Sequence, residues 1–482
     1  MLCVSSPVDV NQIDSDLRCP MGGRQRVVLL AVAVLVFWSL LIYRAHNTSL
    51  PPFSDENNEA SRIALLKSRL EIIEQRVRDD KTNIENLKHQ ILEQFAAIEK
   101  ESLGFARRKE QILKELEHDV AEPPALAAWT EPIPVLVFVC NRAVAITNHL
   151  QKLIKYRPSA AQFPIYVSQD CDNADVEHAV KEFGSQVVYM KHLSGEKANI
   201  EIPSNHRAYI AYYRIARHYK LALQKVFDEF HHSSVIITED DLDIAVDFFD
   251  YFLATRPLLA KDRSLYCVSA WNDNGKMEVI NPNGTSLLYR TDFFPGLGWM
   301  MTSDIWNEFR QWPPFWDDWV RDPEQRKGRS CIRPEISRTG MTAQGKAGAS
   351  KGLFFDTHLR RIYVNAAPAN FSSMDLSYLL KENYDEHFVS MVESVPKLAI
   401  GEIVKKTLES RDHEESYAVI YQSAKDFISI ADSLRIMNDF KAGVPRTAYK
   451  GIVSCYISKM RIYIVPDKFT WLGYKPHWED SG

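Results

Sequence analysis

At 482 residues the chain has room for more than one domain, and 45% hydrophobic with 25% charged residues is ordinary globular composition. A net charge of −5, with no basic stripe interleaved with aromatics, argues against a protein that coats nucleic acid. Composition permits an enzyme without naming one.

The first element in chain order is the apolar run 27–43, VVLLAVAVLVFWSLLIY, uncharged and with Ser39 as its only polar residue. A membrane span needs about 20 apolar residues, with a usual range of roughly 17–25, so this run is short but sufficient. Arg18, Arg24 and Arg26 precede it and only Arg44 follows closely. That asymmetry puts residues 1–26 on the cytoplasmic side and the remainder across the membrane. A cleaved signal peptide is the alternative, but the run is long for one, ends in Leu-Leu-Ile-Tyr and lacks a small-x-small cleavage site. The expectation is a signal anchor of a single-pass type II membrane protein.

Residues 44–130 read as a stem. It begins polar, with Pro51-Pro52, and then Ile63, Leu66, Leu70, Ile73, Val77, Ile84, Leu87, Ile91 and Ile98 mark an interrupted three- and four-residue rhythm. That heptad seam predicts a long helix and coiled coil over 59–118, a spacer with a surface for a homodimer. The plainer alternative is one amphipathic helix packed on the globular part.

From 131 onward strands and helices alternate. Val135–Cys140, Phe163–Ser168, Gln186–Met190 and Ser234–Thr238 read as strands; Ala143–Lys155, Val176–Phe183 and His206–Phe230 read as helices. This order predicts an α/β domain over 131–375, a mostly parallel sheet with helices on both faces and ligands beyond the strands' carboxyl ends. Beyond it, 376–482 reads as a smaller α+β domain: strand-like Lys397–Val404 and Tyr417–Tyr421, a helix over Lys425–Phe440, and a hairpin over Gly451–Val465. No titratable cluster in it suggests chemistry.

Three features of the larger domain could carry chemistry. Glu239-Asp240-Asp241 follows the strand SVIIT directly, and three carboxylates together repel unless a cation sits with them. A divalent ion bridging a diphosphate would fit. An acidic turn with an N-capping aspartate is the alternative. Phe315-Trp316-Asp317-Asp318-Trp319 could be a surface acid pair framed by core aromatics. Taken alone that plain reading wins; the functional one is an aromatic wall that holds a sugar beside a carboxylate base. The glycine-rich runs 293–301 and 345–352 match neither a dinucleotide fingerprint nor a Walker loop, and by themselves mean flexible backbone near a site.

Of seven cysteines, Cys3 and Cys19 precede the apolar run, and Cys140, Cys171, Cys267 and Cys331 form an even set suited to two disulfides in an oxidising compartment. No pair has CxxC spacing, which leaves zinc without its usual signature, and Cys455 remains as a buried thiol. Asn47, Asn283 and Asn370 begin glycosylation triplets, a signal too common to weigh much.

Read in order, KYRPSAAQFPIYVSQDC (155–171), YYRIARHYKLAL (212–223), ITEDDLDIAVDFFDYF (237–252), CVSAWNDNGK (267–276), YRTDFFPGLGWMM (289–301), FWDDWVRDPEQRKGRSCIRPEISRT (315–339) and GVPRTAYKGIV (443–453) closely resemble the alpha-1,3-mannosyl-glycoprotein beta-1,2-N-acetylglucosaminyltransferases. The resemblance runs from about Pro132 to Trp478. It implies a GT-A (Rossmann-like) nucleotide-sugar domain on a Golgi membrane anchor, with the catalytic part lumenal. It also implies inverting transfer of N-acetylglucosamine from UDP-GlcNAc to the 2-hydroxyl of the alpha-1,3-linked mannose of Man5GlcNAc2, with Mn²⁺, at the start of hybrid and complex N-glycan synthesis.

By position, the resemblance makes Asp241 the metal ligand and Asp317 the catalytic base. It turns Asp240 and Glu239 to the ribose and donor sugar, Asp170 to uracil and Arg142 to phosphate, with His206 and Ser350 as further donor contacts. It pairs Cys140 with Cys171 and Cys267 with Cys331. The loop over 340–349 departs from the family by an extra residue and a missing aromatic, just before Ser350. Two rivals stand beside this reading. One is the related transferase acting on protein O-linked mannose, disfavoured because a coiled coil occupies the place of its extra carbohydrate-binding module. The other is a non-catalytic Golgi tether that binds sugar, disfavoured by the intact carboxylates.

Overall fold

The computed structural model describes residues 63–86, 88, 131–193, 198, 200–348, 352, 354–409 and 412–467. The chain divides into two compact units, Met1–His118 and Asp119–Gly482. Of the first, the description covers a helix over 63–86. Its seam residues Ile63, Leu66, Leu70, Ile73, Val77 and Ile84 are all more than half exposed, so the apolar stripe is real and faces solvent. The apolar run 27–43, the rest of the expected coiled coil and Ser350 lie outside the described residues. Among the described residues no helix is long and apolar enough to cross a membrane.

The second unit opens on β1 (Val135–Val139), α1 (Ala143–Tyr156), β2 (Ile165–Gln169), α2 (Ala174–Lys181) and β3 (Val188–Lys191). Next come α3 (Ile210–Gln224), β4 (Ser234–Glu239), β5 (Leu242–Ile244) and α4 (Phe248–Lys261). Then follow β6 (Leu265–Ser269), β7 (Leu288–Thr291), β8 (Trp299–Thr302), α5 (Ser303–Glu308), α6 (Trp316–Arg321), β9 (Ser330–Pro334) and β10 (Thr339–Met341). Eight strands form one mixed sheet in the order β3-β2-β1-β4-β8-β6-β9-β7. Its first four run parallel, whereas β8 pairs antiparallel with both β4 and β6.

The sheet is covered on both faces, which is why β1 is VLVFV with every residue buried. Alternate residues go to opposite sides: Val135, Val137 and Val139 join one core, Leu136 and Phe138 another. The helical stretch read as 206–230 is continuous but changes pitch, with a 3₁₀ turn Ser204–Tyr209, then α3, then a π turn Lys225–Glu229.

The C-terminal part contains α7 (Lys381–Ser394), α8 (Ile400–Thr407), β11 (Glu415–Tyr421), α9 (Ala424–Leu434), the ribbon β12 (Phe440–Lys441) and β13 (Val444–Pro445), then β14 (Val453–Ile457) and β15 (Met460–Pro466). Its sheet, β11-β15-β14, has a core of its own. Yet Leu379, Phe388, Tyr449, Tyr463 and Val465 join the core that holds Val135 and Val137, so packing runs without a break across residue 375. One expectation is corrected here. Lys397–Val404 is a single bridge at Lys397 followed by α8, because Glu402 Oε2 accepts from the Ala399 N–H at 3.0 Å and starts a helix that buries Ile403.

Candidate active site

Every parallel strand of the half-sheet β3-β2-β1-β4 ends on the same edge, and strand order reverses between β1 and β4, where α/β sheets place ligands. A cavity of about 670 Å³ opens there. The turn after β1 supplies Asn141 and Arg142, the turn after β2 supplies Asp170, and the end of β4 supplies Glu239, Asp240 and Asp241. The bond between Cys140 and Cys171 ties the first two turns together, and the Cys267–Cys331 bond links β6 to β9, both as the resemblance implied. Cys455 is a free buried thiol that burial pushes up to about 12.

The acidic triplet is not a capping turn. It leads into β5, and α4 begins later, behind Asp247, whose side chain bonds Arg338 and Asn365 and caps nothing. Asp240 and Asp241 are 2% and 6% exposed. Their counter-charge is Arg142, which donates from Nε to Asp240 Oδ2 at 3.1 Å, from Nη2 to Asp240 Oδ1, and from Nη1 to Asp241 Oδ2 at 2.8 Å. Burial works against the guanidinium's charge, but Asp241 and Asp240 outweigh it and raise its pKa.

Glu239 is pushed up to about 7, first by burial and then by Asp241, while the Tyr219 hydroxyl donating at 2.8 Å pulls the other way. Asp240 is pushed up to about 6 by burial, against the pull of Arg142. Asp241 Oδ1 is buried and, among the described residues, has no hydrogen-bond partner. An orphaned carboxylate oxygen beside two further acids suits one inner ligand to a hard cation whose other ligands come from a diphosphate. A different grouping, Cys140, Asp170 and Cys171, brings three donor-type atoms within 4.8 Å, but the two sulfurs are bonded to each other and are not thiolates.

On the opposite wall, Asp170 is pushed up to about 6 by burial, with Arg217 and Arg214 pulling down. Beside it stands His218, 6% exposed, with Nδ1 at 3.4 Å from Asp170 Oδ1 and Nε2 at 2.9 Å from Ser168 Oγ. Burial lowers the His218 pKa well below its ordinary value, so the ring is neutral and the Asp170 contact is not an ion pair. One proton arrangement satisfies the cluster: His218 Nδ1–H points at Asp170, its Nε2 accepts from Ser168, and His192 Nε2–H donates to the Ser168 oxygen at 2.9 Å. His206, the histidine singled out from the sequence, is not part of the cavity wall. Its Nδ1 is engaged by the Tyr213 hydroxyl at 2.6 Å, before α3 begins. Among the described residues, the histidine that lines the cavity is His218. The signal was in the spacing, because Ala211, Arg214, Ile215 and His218 fall on one face of α3 and all line the cavity.

Asp317 lies on α6, its carboxylate 46% exposed, with Arg321 Nη1 donating to its Oδ2 at 2.9 Å. The same nitrogen donates to Asp318 Oδ1 at 2.9 Å, and Lys441 from β12 reaches Asp318 Oδ2 at 3.2 Å. The C-terminal part therefore touches the acid pair, although its sequence suggested no role. Of the two readings of this run, the framing by core aromatics holds: Trp316 is 8% exposed and packs on Tyr219 and Trp312, with ring centroids at 4.5 and 5.3 Å. Trp319 packs on Phe309. Both rings serve the core. Trp316 thereby connects α6 to Tyr219, and Tyr219 to Glu239 in the cavity.

The sequence matches the GNT-I family over residues 25–478. The chain belongs to the GNT-I family. Among this family member's relatives is an Arabidopsis thaliana alpha-1,3-mannosyl-glycoprotein 2-beta-N-acetylglucosaminyltransferase, 38% identical over 346 residues, which are 71% of this chain and 76% of that protein. Among solved structures, a Pyrobaculum calidifontis mannosyltransferase in complex with GDP-Man and Mn²⁺ is 13% identical over 46% of this chain and 60% of that one, with a TM-score of 0.27. A Mycobacterium tuberculosis glucosyl-3-phosphoglycerate synthase in complex with Mg²⁺ and UDP is 12% identical over 51% and 85%, with a TM-score of 0.30. Likenesses that slight carry no weight for this GNT-I family member.

Proposed function

We propose that the chain moves N-acetylglucosamine from UDP-GlcNAc to the 2-hydroxyl of the alpha-1,3-linked mannose of Man5GlcNAc2, inverting the anomeric carbon. It is an N-acetylglucosaminyltransferase by family, and the alpha-1,3-mannosyl-glycoprotein 2-beta activity is that of its relative. The observation that carries the reading is the cavity at the β1/β4 reversal, lined together by Arg142, Asp170, Glu239, Asp240 and Asp241. We read the sheet as a GT-A nucleotide-sugar domain.

Asp170, held by His218, faces the base of the donor, and Arg142 lies where phosphate charge would enter. The orphaned Asp241 Oδ1 fits a divalent ion, Mn²⁺ by family habit, which when bound supplies positive charge to the leaving diphosphate. Glu239 and Asp240 meet donor hydroxyls. Asp317 accepts the proton of the mannose 2-hydroxyl as its oxygen bonds to the anomeric carbon and the bond from that carbon to the diphosphate oxygen breaks. A single base suffices for inversion, since no enzyme nucleophile intervenes. Ser350 remains assigned to the donor by resemblance.

We place the enzyme in the Golgi membrane with residues 1–26 cytoplasmic, 27–43 spanning and the 131–375 and 376–482 domains lumenal, on the strength of the arginine asymmetry and the paired cysteines. Pairing of two chains through the exposed stem seam belongs to the same proposal.

The test is transfer by the full chain in detergent, with UDP-GlcNAc and Man5GlcNAc2, with Mn²⁺ and with EDTA. Metal-dependent gain of one beta-1,2-linked N-acetylglucosamine on the alpha-1,3 arm is expected. Transfer to an O-mannosyl peptide alone would favour the rival acceptor, and transfer undiminished by EDTA would remove the metal.

A further inference from the structure

Phe315 sits in the left-handed region at φ 60, ψ 38, a conformation a bulky side chain adopts at a cost of roughly 1–3 kcal/mol and that persists only where the surroundings hold it. What holds it is visible. Its ring stacks on Tyr212 with centroids at 4.6 Å and 28° between planes, and meets the edge of Tyr209 at 5.7 Å. Tyr209, Tyr212, Ala216 and Tyr219 follow one another at three- and four-residue spacing, so they form one stripe on α3 and the turn before it. Neighbouring residues Phe315 and Trp316 clasp that stripe at two levels. Trp316 grips Tyr219 in the core, and Phe315 grips Tyr212 and Tyr209 toward solvent.

The outer level is not closed over. Tyr209 is 48% exposed, and the adjacent Ile210 is 38% exposed. Packing does not demand an exposed stack of this kind, since burying the rings would be favourable. Its position is specific. Ala211, between the two tyrosines, lines the donor cavity. Asp317, two residues from Phe315, lies within about 7 Å of it along the chain.

We propose that Tyr209, Tyr212 and Phe315 form the landing shelf for the acceptor, receiving the apolar C–H face of a mannose residue while its neighbouring hydroxyl points toward Asp317. This rests on the transferase reading above. The chemistry favours an oligosaccharide over a protein segment, because flat, half-wet rings with polar tips suit a hexose with one apolar face and a hydroxyl rim. The shelf and the donor cavity share α3, which gives Tyr212 to one and Ala211, Arg214, Ile215 and His218 to the other.

The experiment is steady-state kinetics of the full chain with both substrates varied. Tyr209→Ala, on an exposed site, should raise the KM for Man5GlcNAc2 by roughly three- to tenfold, the worth of one aromatic contact. The KM for UDP-GlcNAc and kcat should hold, and Tyr209→Phe, which keeps the ring and loses the hydroxyl, should raise the acceptor KM less than Tyr209→Ala does. Tyr209→Ala combined with Tyr212→Ala should raise it further, with the circular dichroism melt reporting whether the stripe still folds. An unchanged acceptor KM in a folded double variant, or an equal rise for both substrates, would overturn the shelf. No transfer by the wild-type chain would instead sink the reading of the reaction, and the shelf with it.

Discussion

Two carboxylates of the site differ in how they meet solvent, and each leads to a measurement. Asp317 is half exposed and already oriented by Arg321, so replacing one of its oxygens by nitrogen alters charge more than shape. Asp317→Asn should bind UDP-GlcNAc as tightly as wild type by calorimetry while kcat falls by about 10²–10⁴, the usual worth of a positioned base. Retention of most activity would move the base elsewhere. Asp170 is the opposite case, held near 6 by burial against an ordinary value of 3.8. A carboxyl whose folded pKa is raised binds its proton more tightly folded than unfolded, so Asp170 withdraws stability as pH climbs from about 4 to about 6. On the proposed contact, an ionised carboxylate accepts a uracil N–H more strongly than the protonated acid does, so UDP affinity should strengthen across that same climb and level off above it. Asp170→Asn should abolish the dependence along with much of the affinity, and a pH profile identical in the variant would assign the titration to another group. How far such residues could be read from the sequence depended on their type. Glu239, Asp240 and Asp241 announced themselves because three adjacent acids need a reason. His218 did not, because a histidine inside a buried amphipathic helix looks like packing until the helical phase places it beside Ala211 and Arg214.

At the scale of elements, the parallel half of the sheet was legible and the mixed half was not. β1, β2, β3 and β4 are short apolar runs separated by helices, which the eye reads easily. β7 and β9 pair although β8, α5 and α6 lie between them in sequence, and they include Arg290 and Arg333, both buried, so their pattern resembles no ordinary strand. The tryptophans around Asp317 left two readings open for a related reason: exposure cannot be seen in sequence, and Trp316 is core while Tyr209 is half exposed. The disulfide between Cys140 and Cys171 closes a separation of 31 residues and fixes the turn bearing Arg142 against the turn bearing Asp170. Loop-closure entropy gives such a bond about 3–4 kcal/mol. Cys140→Ser with Cys171→Ser should therefore lower the melting temperature and weaken UDP binding more than acceptor binding. Weakening of acceptor binding alone would show that the bond does not set the donor turns.

For the whole molecule, the exposed seam over 63–84 is the feature that the globular unit does not explain. A stripe of six large aliphatics at heptad rhythm, all more than half exposed, is unfavourable on a lone helix in water and is covered when two such helices wind together. The full chain in detergent should sediment as a dimer. Replacement of Leu66, Leu70, Ile73 and Val77 by Gln should yield a monomer with its transfer rate intact. A wild-type monomer would return the stem to the role of spacer.

The core shared across residue 375 bears on how the enzyme comes into being. Val135 and Val137, near the start of the globular unit, pack in one cluster with Tyr463 and Val465, near its end. β15 lies between β11 and β14, so its strand is the keystone of the last sheet. A ribosome delivers these partners some three hundred residues apart, at roughly 5–20 residues per second. For roughly 6–23 seconds after Gly348 is made, the growing chain holds its complete cavity wall without the segment that closes the core behind it. A stop codon between Ser350 and β15 would spare every proposed site residue and still leave no enzyme.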